Sequence, residues 1–116
     1  MQQSVVSHLI GNLRWTNWID IGSNIGISAR YRKSGSIIEV YAQGSINNKG
    51  FTAGSGYQIG LLPENARPPY ARRYQLTDTR LYMEIRTDGD VAIISTSDIQ
   101  STHNDIWFSE TFGISQ

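Results

Sequence analysis

In the stretch from Arg80 to Arg86, Leu81, Met83 and Ile85 alternate strictly with Arg80, Tyr82, Glu84 and Arg86. Such a period of two puts all apolar side chains on one face of an extended strand. No stretch of ten or more residues shows a convincing 3.6-residue period. A chain so patterned hides its apolar faces by stacking sheets or by closing one sheet on itself. The alternation recurs elsewhere. Ile27, Ala29 and Tyr31 oppose Ser28, Arg30 and Arg32; Ile38, Val40 and Ala42 oppose Glu39, Tyr41 and Gln43; Ile106, Phe108 and Phe112 oppose Trp107, Ser109 and Thr111.

Turn chemistry divides these runs. Ser34-Gly35 and Asp88-Gly89 read as hairpin turns. Asn47 to Gly56 reads as a loop anchored by Phe51, and Ser97 to Asp105 as a polar loop. Arg14 to Ile21 reads as a strand with Trp15, Ile19 and Ile21 on one face and Trp18 on the other. Tyr57 to Leu62 and Arg72 to Leu76 are further short strands, the latter followed by a turn at Thr77-Asp78-Thr79. All three prolines fall between Leu61 and Pro69. Proline lacks an N–H and restrains its predecessor, so this stretch cannot be a helix or a central strand. Leu61 and Leu62 are expected to anchor in the core, Arg67-Pro68-Pro69 to lie at the surface, and the segment to carry the chain from one sheet to the other. The sum is about eight strands, which predicts an all-β, antiparallel, jelly-roll-like β-sandwich of one domain. The domain is expected to cover 14–116, with 1–13 an arm or the remnant of an upstream shaft.

Charge and chemistry narrow the function. Ten basic and ten acidic residues leave a net charge of zero, so the electrostatic footprint of a nucleic-acid or anionic-membrane partner is missing. No apolar run approaches a membrane span. There are no cysteines. Gly54 to Gly60 has neither the spacing of a phosphate loop nor a helix after it. His8 and His103 stand too far apart to make a metal site without a third close ligand. No serine occupies a nucleophile elbow, and the carboxylates are scattered. The expectation is a binding protein rather than an enzyme, with no cofactor.

Aromatic residues carry the positive signal. Trp18, Tyr82 and Trp107 fall on polar faces of their strands. An outward ring can stack on the C–H face of a sugar while Asp, Asn, His and Arg bind hydroxyls. His103, Asn104 and Asp105, just before Trp107, supply such groups. The residues leave a second reading open, in which another sheet or subunit covers that face and Trp107 is core.

Ala29-Arg30-Tyr31-Arg32-Lys33-Ser34-Gly35 before a long strand, then Leu61-Leu62-Pro63 and Arg67-Pro68, resembles the C-terminal head domain of siphophage receptor-binding proteins. These are the tail-tip or baseplate proteins of phages that infect Gram-positive bacteria, the lactococcal ones among them. The strand and turn from Ile85 to Asp90, followed by Val91, fit the same layout, and the resemblance runs from about Trp15 to Ile114. It implies a homotrimeric head at the virion tail tip. Such a head meets other tail or baseplate proteins and binds host cell-wall saccharide without cleaving it. Similar heads use a His-x-Asp pair, a Trp near the last strands and a nearby Arg. Here His103-Asn104-Asp105 and Trp107 match, with a shorter gap from Asp to Trp. Arg72, Arg73, Arg80 and Arg86 are the candidate arginines, and Arg80 is taken with Asn104 into the expected site. A trimerisation or baseplate domain without a ligand, and a glycan depolymerase, are the alternatives.

Overall fold

The computed structural model describes residues 14–114; the arm expected at 1–13 lies outside them. Residues 14–114 form an all-β antiparallel sandwich of eight strands in two four-stranded sheets, the strand count of a jelly roll. The first sheet contains β1 (Ile19–Asn24), β2 (Ile27–Ser34), β3 (Ile37–Phe51) and β8 (Ile99–Gly113), in the order β1-β2-β3-β8. The second contains β4 (Gly56–Leu61), β5 (Arg72–Gln75), β6 (Leu81–Ile85) and β7 (Asp90–Ser95), in the order β4-β7-β6-β5. Only the connections β3–β4 and β7–β8 pass between sheets. Within the second sheet, β5, β6 and β7 form a meander and β4 returns beside β7, which is a Greek key.

The inward rows are those the alternation dictates. Ile27, Ala29 and Tyr31 on β2, Ile38, Val40 and Ala42 on β3, and Ile106, Phe108 and Phe112 on β8 are buried. They face Leu81, Met83 and Ile85 on β6 and Val91 and Ile93 on β7. Both expected hairpins form. Ser34 pairs with Ile37 across Gly35-Ser36, and Arg86 pairs with Asp90 across the Asp88-Gly89 turn. A third tight turn joins β1 to β2 through Ile25 and Gly26, whose φ angles of 49° and 86° are those of a type I′ hairpin.

Two expected loops are strands. β3 continues through 47–51, and β8 begins at Ile99, so much of each expected loop is paired with the other; Asn47 lies opposite His103, and Phe51 opposite Ile99. Neither segment is rich in strand formers. Each finds its backbone partners in the other, and pairing gained across the sheet overrides local propensity. Register shifts after Asn47 and after Lys49 accommodate the Asn and Gly residues. The result is a two-stranded ribbon, 45–51 with 99–105, that runs on past the end of β2 and lengthens the molecule to 56 Å.

The proline segment also differs from expectation. β4 and β5 are the two edges of the same sheet, so the segment spans that sheet from edge to edge and does not change sheets. Leu62 is fully buried, whereas Leu61 is 51% exposed. Neighbouring residues of an extended chain point to opposite sides, so only one of two adjacent leucines can enter the core. Pro68 is buried as well, although the sequence placed it at the surface. Arg67 folds back and donates from Nε to the Leu62 carbonyl at 3.1 Å.

On the outer face of the second sheet, Glu84 is 3% exposed and receives Arg73 Nε at 2.8 Å and Arg86 Nε at 2.5 Å. Burial pushes its carboxyl up, but hydrogen bonds from Arg86 and Arg73 outweigh burial and hold it below the ordinary glutamate value. Two of the candidate arginines are thereby committed to structure.

Candidate functional site

β8 is an edge strand whose outward row is His103, Asp105, Trp107, Ser109 and Thr111, all exposed. Three of the expected site residues, His103, Asp105 and Trp107, therefore stand on one face at alternate positions, about 6.7 Å apart along the strand. Across β3 they face Asn47, Ser45 and Gln43 in turn. Ser45 Oγ donates to Asp105 Oδ1 at 2.6 Å, which fixes the carboxylate while leaving its other oxygen open. A strand holds such a row more rigidly than the expected loop would.

The other two expected residues lie elsewhere. Asn104 has the opposite parity and points to the side facing the second sheet. Its Nδ2 donates to Thr102 Oγ1 at 2.6 Å and to Asp78 Oδ2 at 3.2 Å. Arg80 is held by the same Asp78, through Nε at 3.0 Å and Nη2 at 2.8 Å. Asn104 and Arg80 thus meet at Asp78, on the other side of β8 from the His103–Trp107 row. This cluster ties the turn between β5 and β6 to β8. It also ends a groove of about 450 Å³ between the open edges of β5 and β8, lined by Tyr74, Gln75, Asp78, Asn104, Trp107 and Phe108 among others. Arg72 donates to Tyr74 Oη at 2.6 Å beside that groove and lies near Phe112.

The Arg80 guanidinium is the main cause that holds the Asp78 carboxyl well below the usual aspartate range, with Asn104 contributing and burial opposing. A carboxyl depressed in the folded state adds stability above its unfolded value of about 3.9, and that stability is lost as pH falls towards the folded value. Asp78→Asn is therefore expected to lower the melting temperature at pH 7. The deficit should shrink as both proteins are taken from pH 5 to pH 2, which thermal melts over that range measure.

Sequence reading missed two arginines that share the face of the outward row. Arg30 and Arg32 lie on the same outer face. Arg32 stacks over Trp15 and Trp18 at 4.5 and 4.6 Å and pairs with Glu39 at 2.7 Å. Arg30 stacks over Trp18 and Tyr41 at 5.4 and 4.9 Å. The signal was present, because a two-residue turn at Gly35-Ser36 forces Arg30 opposite Tyr41.

Trp107 differs from the other two tryptophans. It is 79% exposed, and among the described residues no ring or cation stacks on it. The reading of Trp107 as core within one chain is excluded. No protein-family model matches the chain, and no curated protein matches it in sequence. The site is therefore read from its own chemistry: a bare indole, an imidazole and a carboxylate on one face of a strand. That combination stacks on a ring and exchanges hydrogen bonds with hydroxyls. Among the described residues no group of three or more His, Cys, Asp or Glu could hold a metal.

Proposed function

We propose that this protein is a saccharide-binding adhesion head, the C-terminal host-recognition domain of a siphophage tail-tip or baseplate protein. It acts as a homotrimer at the virion tail tip and does no chemistry on its ligand, the cell-wall saccharide of a Gram-positive host. Trp107 supplies the stacking platform, and His103 and Asp105 supply the hydrogen bonds. The observation that carries this reading is the bare Trp107 ring on a rigid strand, flanked on the same face by two groups that bind hydroxyls. An exposed indole offers a partner a large contact area at small conformational-entropy cost, and polar groups on the same face give that contact direction. Each site is weak on its own, and three copies on one head, multiplied by the heads of a virion, give attachment through avidity.

A second reading has its own support. β5 and β8 present unpaired edges, and an exposed edge strand pairs readily with another chain. In that case the domain trimerises or plugs a baseplate and has no ligand, and Trp107 lies in the contact. Calorimetric titration with fragments of purified Gram-positive cell-wall polysaccharide separates the two. Saturable heat supports the adhesion head; its absence across a panel of host polysaccharides removes it.

A further inference from the structure

The outer face of the first sheet carries a second concavity that the Trp107 row does not include. It is a shallow depression of about 360 Å³ over β2 and β3, lined by Asp20, Ser28, Arg30, Tyr41 and Gln43 with Gly26 and Gly44 at its edge. Both glycines are forced: a Cβ on Gly44 would lie 2.0 Å from the Gly26 carbonyl oxygen, and one on Gly26 would lie 2.1 Å from that of Ser45. The bare backbone there leaves the hollow unfilled.

The depression borders the first site through Gln43. Ser28, Gln43 and Trp107 are direct cross-strand neighbours on β2, β3 and β8. They form one transverse row about 10 Å wide, two strand spacings. Two residues along β2 from Ser28, in the next transverse row, Arg30 is held between Trp18 and Tyr41, so its plane is set before any ligand arrives. Among the described residues the Arg30 guanidinium makes no hydrogen bond and no ion pair, unlike those of Arg32, Arg73, Arg80 and Arg86, which are tied to Glu39, Glu84 or Asp78. Asp20 stands opposite it on β1. Gln43 accepts the Tyr41 hydroxyl at Oε1, leaving its amide N–H groups to donate.

We infer that Asp20, Arg30 and Gln43 form a second subsite on this face, which takes a neutral, hydroxyl-rich sugar residue further along the glycan chain that Trp107 engages. Arg30 is a donor-only fork, Asp20 is acceptor-only, and Gln43 donates between them. Adjacent hydroxyls, each able to donate and accept, satisfy that set. A ligand anion would meet Arg30 but would be repelled by Asp20. The subsite rests on the saccharide reading of Trp107, and it makes the recognised unit an oligosaccharide laid across the strands rather than one sugar.

The test uses size-fractionated fragments of Gram-positive cell-wall polysaccharide, from one repeating unit to several, titrated into wild type and four variants. Wild type should bind longer fragments more tightly. Asp20→Asn and Gln43→Ala, both at exposed positions, should match wild type on the shortest fragment. On the long ones they should lose roughly 2- to 10-fold, the worth of a hydrogen bond. Thr111→Ala, on the same face and outside both subsites, should match wild type throughout, and Trp107→Ala should weaken every fragment. If Asp20→Asn and Gln43→Ala track wild type at all lengths while Trp107→Ala is weak, the second subsite is overturned and the first stands. If Trp107→Ala binds like wild type, the saccharide reading falls and the subsite with it.

Discussion

Trp107→Ala is expected to weaken saccharide binding by at least about tenfold while leaving folding stability within about 0.5 kcal/mol of wild type. The first magnitude follows from the apolar area an indole covers against a sugar ring, which at about 25 cal/mol per Å² exceeds the ~1.4 kcal/mol of a tenfold change. The second follows from exposure, because a side chain already 79% in water takes little packing with it when truncated. The same variant separates the two functional readings. If Trp107 contacts ligand, the sedimentation profile is unchanged and binding is lost. If it lies in a subunit contact, the assembly dissociates and the monomers remain folded.

The second large effect concerns stability. Leu62→Ala should cost about 2–5 kcal/mol, the range for a fully buried leucine whose cavity cannot collapse. The cavity here is braced on several sides. Leu62 N donates to the Gly89 carbonyl at 2.8 Å and its own carbonyl accepts Arg67 Nε, so the backbone at this point is pinned between the β6–β7 turn and the proline segment. Leu61→Ala, one residue earlier and half exposed, should change stability by less than about 1 kcal/mol. Chemical denaturation of the pair measures the difference directly. Equal losses would mean that both leucines anchor in the core, as the sequence alone implies.

That pair also marks where sequence reasoning works and where it stops. The inward rows on β2, β3, β6 and β8 could be read in advance, because the alternation that sets them is local. The fate of Leu61 and Leu62 could not. A register shift between Gln58 and Gly60 on β4 decides which neighbour faces inward, and it depends on pairing with β7, some 30 residues on. The proline segment was recognisable as irregular backbone from its own chemistry. Which edges it joins depended on the order of strands in space, which no local pattern encodes.

The site divides in the same way. The outward parity of Trp107 was plain from Ile106 and Phe108 on either side. His103, Asn104 and Asp105 read as loop because Ser, Thr, His, Asn and Asp form strands poorly, and only pairing with 45–49 makes the segment extended. Once it is a strand, parity sends His103 and Asp105 to the side of Trp107 and Asn104 to the other. No spacing singles out Arg80, and its bidentate hold on Asp78 keeps it with Asn104. Arg30, which does share the outward face, was within reach through the hairpin register.

The central claim is that ligand binds the outer face of the first sheet at Trp107. It is tested most directly by mapping amide chemical-shift changes in the isotope-labelled protein as cell-wall polysaccharide fragments are added. The account predicts changes concentrated on 103–109 of β8 and 43–45 of β3, with Trp107 among the largest. No change at any fragment concentration, or changes confined to the opposite face around Tyr82 and Glu84, would contradict it.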